Sequence, residues 1–141
     1  MQEIKIFLLD FYPSSGLGCE LREILEINVT PPIYLKEEAP EGSGFDTFFP
    51  RLSTIISNLE PSLVFLVLPP GYLNHTRKLI QSLSGSPLIA VFEGFKSEEM
   101  LELLRLGVSD FIIPPLKGVD ILPRVRRLLE QKGAGIHRSI F

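Results

Sequence analysis

Apolar and polar positions alternate along the chain in blocks, not residue by residue. Three apolar runs of strand length, Ile4–Leu9, Leu63–Leu68 and Leu88–Phe92, are bounded by turn-forming residues, and a fourth, Phe111–Ile113, lies between Asp110 and Pro114-Pro115. A weaker strand candidate, Ile33-Tyr34-Leu35, follows Pro31-Pro32. Near-continuous apolar runs of this length fit strands covered on both faces, as in a parallel sheet between helices. Between the runs the spacing becomes helical. Leu17, Leu21, Ile24 and Leu25 form a first stripe, Leu52, Ile55, Ile56 and Leu59 a second, and Leu79, Ile80 and Leu83 a third. Met100, Leu101, Leu103, Leu104 and Leu106 form the fourth, with Ser97 as its expected N-cap and Gly107 as its stop. Ile121, Leu122, Val125, Leu128 and Leu129 form the fifth, which ends near Gly133.

Strand and helix thus alternate five times along the 141 residues. Parallel strands need crossover connections, so the pattern predicts an α/β fold: a doubly wound, five-stranded parallel sheet in a three-layer sandwich, with flavodoxin-like strand order. The chain length fits one domain, over residues 1–132, and residues 133–141 read as a tail or the start of a linker. The segment Lys36–Asp46 (KEEAPEGSGFD) is polar and rich in Gly and Pro, and reads as an exposed loop.

Composition narrows the function classes. A formal net charge of -3 gives no general attraction to nucleic acid, so direct nucleic-acid contact is not expected. The apolar run after Met1-Gln2-Glu3 is far shorter than the about 20 residues of a membrane span, and a soluble, cytoplasmic domain is the expectation. Cys19 is the only cysteine, which excludes an internal disulfide, and it reads as a small buried thiol. No Cys/His spacing fits a metal site, and no cofactor is expected.

Ligands of doubly wound folds sit at the carboxyl ends of the strands. Here those ends read Leu9-Asp10-Phe11-Tyr12-Pro13, Val67-Leu68-Pro69-Pro70, Phe92-Glu93-Gly94 and Ile113-Pro114-Pro115. Asp10 and Glu93 are the only acids there, and no His, Cys, Lys or Arg accompanies them. No nucleophile–base pair is visible, so an enzyme is not expected. At these positions the sequence resembles the receiver domain of bacterial response regulators, over about Ile4 to Gln131. The resemblance is strongest in LLRLGVSDFIIPPLKGVDILPRVRRLL, and extends to Pro61–Val67 and to Leu8–Pro13.

Receivers hold magnesium with an acidic pair and an aspartate. That aspartate takes a phosphoryl group, whose oxygens a Ser/Thr and a Lys contact. Magnesium requires hard oxygen ligands, and a transferring phosphoryl group requires positive charge around it. By this resemblance Asp10 matches the first acid, Phe11 and Tyr12 stand where further acids are usual, Val67 falls at the phosphoacceptor, Phe92 at the Ser/Thr and Pro114 at the Lys. The loop after Val67 is one residue shorter than usual, but a slip of one places no nucleophile there either. Pro115 retains the proline that follows the lysine in receivers through a cis peptide. The resemblance therefore implies a kept fold and a degenerate phosphorylation site, with Val67, Phe92 and Pro114 able to pack together; Asp10 reads as a cap of the turn or of the next helix in preference to a remnant ligand.

Phe111 matches the aromatic switch position of receivers, and Asp110 and Arg124 match a charge pair that crosses the dimer face of winged-helix regulators. The expected interaction face presents Arg105, Asp110, Arg124 and Arg127. These features imply a non-phosphorylatable signalling domain that works through a protein partner or an output domain, and forms a homodimer. The alternative is a flavodoxin-like binder of a flavin or another phosphate-containing ligand, using the loop Ser14–Gly18 at a helix start. His75 and His137 lie in contexts that fit surface histidines, and Glu93 fits a solvated loop acid.

Overall fold

The computed structural model describes residues 4–28, 33–38, 61–69, 77, 80–81, 83, 85–94 and 96–132. In chain order they form β1 (Ile4–Asp10), α1 (Leu17–Asn28), β2 (Ile33–Glu38), β3 (Leu63–Val67), β4 (Leu88–Val91), α2 (Ser97–Leu106), β5 (Asp110–Ile112) and α3 (Gly118–Lys132). The five strands make one sheet in the order β2-β1-β3-β4-β5, and every neighbouring pair is parallel. This is the doubly wound order expected from the alternation of blocks.

Two apolar layers follow from the pleat. Leu63, Phe65 and Val67 of β3 pack with Ile6, Leu8, Ile89 and Val91 against Leu17, Leu21 and Leu25 of α1 and Ile121, Val125 and Leu129 of α3. Val64 and Leu66 point the other way, with Phe7, Leu9, Leu88 and Ala90, against Leu103 of α2 and against Ile80 and Leu83. Every residue of β3 and β4 is buried, as their unbroken apolar runs require. The expected second helical stripe, Leu79, His75, His137 and the tail 133–141 lie outside the described residues.

Several local expectations change. Lys36, Glu37 and Glu38 belong to β2, not to a loop, and pair in register with Phe7, Leu8 and Leu9 of β1. β2 is an edge strand, where charged residues are tolerated and discourage further pairing. Cys19 is exposed. It lies two residues from both Leu17 and Leu21, about 200° from each around the helix, so burying those leucines turns the thiol outward.

Ser97 opens α2 as its first helical residue, and Lys96, with extended backbone (φ -90°, ψ 148°), is the N-cap. The Glu99 carboxylate accepts the Lys96 N–H at 3.2 Å, so an acid in the first turn reaches back to satisfy the donor of the N-cap residue itself. Gly107 ends α2 in the left-handed conformation (φ 113°), as its place after the fourth stripe predicts. Leu101 and Leu104 are not core residues: they are 55% and 50% exposed, whereas Leu103 is fully buried. Five apolar residues within seven positions are more than one helical face can turn inward.

Candidate functional site

The carboxyl edge of the sheet gathers the positions singled out in the sequence. Register pairs Asp10 with Val67, Val67 with Val91, and Val91 with Ile112, so these four residues form one row across β1, β3, β4 and β5. Phe11 donates its N–H to the Val67 carbonyl at 2.9 Å, and Leu68 donates to the Val91 carbonyl at 3.0 Å, which continues the ladder one residue beyond the row. Pro114 stands two residues after β5, half-buried, and the peptide between Pro114 and Pro115 is cis.

The site residues do not pack as one group. Val67 belongs to the layer beneath α1 and α3, with Val91, Ile112 and Leu116. Phe92 belongs to the opposite layer, with Phe11 and Leu68. Val67 and Val91 are in register, so Phe92, one residue further on, must point to the other face. The expected contact between Val67 and Phe92 is thus replaced by two separate apolar plugs. Val67 is fully buried, and Phe92 and Phe11 are 4% and 5% exposed.

Asp10 is the only buried charged side chain among the described residues. Its Oδ1 accepts the Tyr12 N–H at 2.9 Å, which fixes the turn after β1. Gly18, in the first turn of α1, lies directly against this carboxylate: a Cβ there would overlap Asp10 Oδ2 and Cγ. The negative charge thus lies beside the amino-terminal turn of a helix, where the peptide dipoles favour it. The neighbouring loop is satisfied internally. The Ser15 hydroxyl donates to the Tyr12 carbonyl at 2.7 Å and accepts the Leu17 N–H at 3.2 Å. Gly16 supplies the positive φ of 77° that the turn requires. Sequence reasoning missed Gly18, and the only signal was its place in a short Ser/Gly loop next to an acid.

This donor set does not fit magnesium. The row holds one carboxylate, already engaged, and three aliphatic side chains, whereas the ion takes carboxylates together with phosphate oxygens and water. Among the described residues no three His, Cys, Asp or Glu side chains converge on one point. Glu93 is exposed in the turn after β4.

The second group of singled-out residues lies on β5 and α3. Asp110 Oδ1 accepts the Phe111 N–H at 2.8 Å. Its Oδ2 accepts a hydrogen bond from Arg127 Nη2 at 2.7 Å and lies 3.3 Å from Arg124 Nε. Arg124 Nη1 also donates to the Asp120 carbonyl at 2.8 Å. That contact lies in the turn that Pro123 interrupts, because proline has no N–H to continue the helical ladder. The Asp110–Arg124 pair therefore exists within one chain and braces α3 against β5. Phe111 is half-buried and packs against the α2-side layer. With Ile112, Ile113, Pro115, Asp120 and Arg124 it lines a shallow cleft of about 290 Å³. Arg105 is exposed on α2, and no ion pair joins it to the Asp110 cluster among the described residues.

No protein-family model matches the chain, and no curated protein does. Solved structures do. A protein assigned to pilus assembly from Burkholderia pseudomallei K96243 superposes with a TM-score of 0.65 at 16% identity, covering 92% of each chain. A LuxR-family two-component response regulator from Aurantimonas sp. SI85-9A1 gives 0.66 at 16% identity, over 93% of this chain and 88% of its own. NtrX from Brucella abortus gives 0.64 at 19% identity, and the match spans 98% of this chain but 29% of the longer one. The sheet order, the layers and these superpositions agree: this chain has the fold of response regulator receiver domains.

Proposed function

We propose that this is a non-phosphorylatable receiver-like signalling domain, which transmits information by contacting other protein surfaces and has no catalytic activity of its own. One observation carries the reading. The register row at the carboxyl edge is Asp10–Val67–Val91–Ile112, with a fully buried valine where receivers carry the phosphoacceptor aspartate. A valine side chain has no atom that can form an acyl phosphate. The phenylalanine at the Ser/Thr position and the proline at the Lys position remove the other two contacts to a phosphoryl group.

Partners follow from the same fold. In NtrX a region of this fold occupies a minor part of a longer chain. A protein partner or an appended output domain is therefore the expected recipient, in two-component signalling and the control of transcription, with a homodimer as the regulatory state. Of the residues expected on the contact face, Asp110, Arg124 and Arg127 pair within the chain, which leaves the exposed Arg105 on α2 as the proposed point of contact. No helix among the described residues is long and apolar enough to cross a membrane. The domain is taken to work in the cytoplasm, without direct contact to nucleic acid. The flavin or phosphate alternative loses support at its own loop, because the Asp10 carboxylate beside Gly18 would repel an anion placed at the start of α1.

The test is direct. The full chain, incubated with magnesium and acetyl phosphate, keeps its unmodified intact mass, and beryllofluoride leaves its melting temperature unchanged, because a ligand stabilises only by binding the native state. A stoichiometric phosphoadduct would overturn the reading. A yellow, flavin-loaded preparation would favour the alternative.

A further inference from the structure

The outer face of α2 carries an arrangement that the degenerate site does not explain. Leu101 and Leu104 are among the few large apolar side chains exposed among the described residues. Glu98 and Arg105 are exposed on the same helix. Spacings of three and four residues put Glu98, Leu101 and Arg105 in a single outward stripe, with Leu104 at its flank. Glu102, on the adjacent flank, is engaged elsewhere: its Oε1 lies 3.1 Å from Arg77 Nη1. Glu98 and Arg105 have no ion-pair partner among the described residues. They are seven residues apart, about 10 Å along the axis and too far to pair with each other.

An acid at one end of a short apolar stripe and a base at the other form a self-complementary pattern. If two such helices pack antiparallel about a two-fold axis near Leu101, Glu98 of each lies opposite Arg105 of the other, and each contact is made twice. The leucines cover one another at the axis. Within each helix the acid sits in the first turn and the base in the last, which is also the arrangement its dipole favours. We propose that a second copy of this chain occupies the outer face of α2, in an antiparallel α2–α2 contact held by reciprocal Glu98–Arg105 pairs around Leu101 and Leu104. The inference rests on the reading of the domain as an interaction module and deepens it. It moves the symmetric contact from Asp110 and Arg124, which pair within one chain, to a helix whose charges are uncommitted.

Sedimentation equilibrium of the full chain over a wide concentration range tests the contact. Glu98→Arg and Arg105→Glu each weaken the dimer by roughly tenfold, because two exposed pairs are lost and like charges face each other. The double reversal restores most of the affinity, since acid and base have merely exchanged ends. Leu101→Ser leaves the circular dichroism spectrum and melting temperature of the monomer unchanged but abolishes the dimer. A dimer indifferent to Glu98→Arg and Leu101→Ser but lost in Arg124→Glu would overturn this contact and leave the homodimer itself standing. A monomer at every concentration would overturn both. A phosphoadduct in the acetyl phosphate experiment would overturn the functional reading whatever the dimer does.

Discussion

At the carboxyl edge of the sheet and on the outer face of α2, apolar side chains stand in positions of opposite meaning. At the edge, Val67, Phe92 and Phe11 are buried and close the carboxyl ends of the strands with apolar side chains. On α2, Leu101 and Leu104 are half-exposed, at places where a solvated helix needs only polar residues. The first region gains stability from its apolar content: burying a side chain of this size contributes about 1.5–3 kcal/mol. The second gains less in the isolated chain, since about half of each leucine stays in contact with water. Sequence hydrophobicity is similar in both. Which region stabilises the fold and which is available for contact is decided by the direction of the side chain.

The largest effects expected from breaking this contrast lie at the edge. Phe92→Ala removes a nearly fully buried ring and lowers unfolding free energy by about 3–5 kcal/mol. Val67→Asp leaves a carboxylate in a fully buried position beside Asp10, at a cost of about 3–5 kcal/mol, the scale of an uncompensated buried charge. Urea titration checks both. On the proposed reading Val67→Asp supplies a carboxylate at the phosphoacceptor position, yet the variant acquires no phosphate from acetyl phosphate, since Phe11, Phe92 and Pro114 offer neither a metal ligand nor a donor to a phosphoryl group. Wild-type stability in either variant would show that the plug adds nothing to the core.

The next effect is smaller and probes Asp10. Gly18→Ala forces a methyl group onto the Asp10 carboxylate and costs about 1–3 kcal/mol, the range of overpacking in a filled site. Replacing Asp10 by Gly in the same chain makes room for the methyl group and recovers part of the loss in thermal melts. Failure of that rescue would show that Gly18 is required for backbone reasons alone.

Much of the fold was legible in the sequence because both periods were clear. The near-continuous runs Leu63–Leu68 and Leu88–Phe92 announced strands covered on both faces, and the stripe from Ile121 to Leu129 announced the last helix. Chain order also placed Asp10, Val67, Phe92 and Pro114 at one edge. Their relative directions were not legible. Whether Val67 and Phe92 share a face depends on a register of one residue between β3 and β4, which no single segment encodes. The fourth stripe misled because Leu101 and Leu104 look like core residues until the helix is seen to turn only Leu103 fully inward, with Met100 and Leu106 half-buried. The partner of Asp110 depended on a tertiary distance between β5 and α3, and the matched pattern led to expecting Arg124 across a dimer and not within the chain.

The smallest effect separates those two placements of the Asp110 pair. Asp110 is 20% exposed at its side chain, against 39% for Arg124 and 54% for Arg127, so each ion pair contributes about 0.2–1 kcal/mol. A double-mutant cycle of Asp110→Asn with Arg127→Gln isolates that coupling, because each single change removes the pair without adding a charge. An intrachain brace gives the same coupling at every protein concentration and shrinks as salt screens the exposed partners. A pair made across the two-fold axis gives a coupling that appears only where the dimer is populated, since its contribution enters through association. Repeating the cycle with Arg124→Gln adds a control. That variant also removes the bond to the Asp120 carbonyl beside Pro123, so its effect exceeds that of Arg127→Gln while its coupling to Asp110 does not. A concentration-dependent coupling for either arginine would return Asp110 to the dimer interface and weaken the case for α2 as the site of self-association.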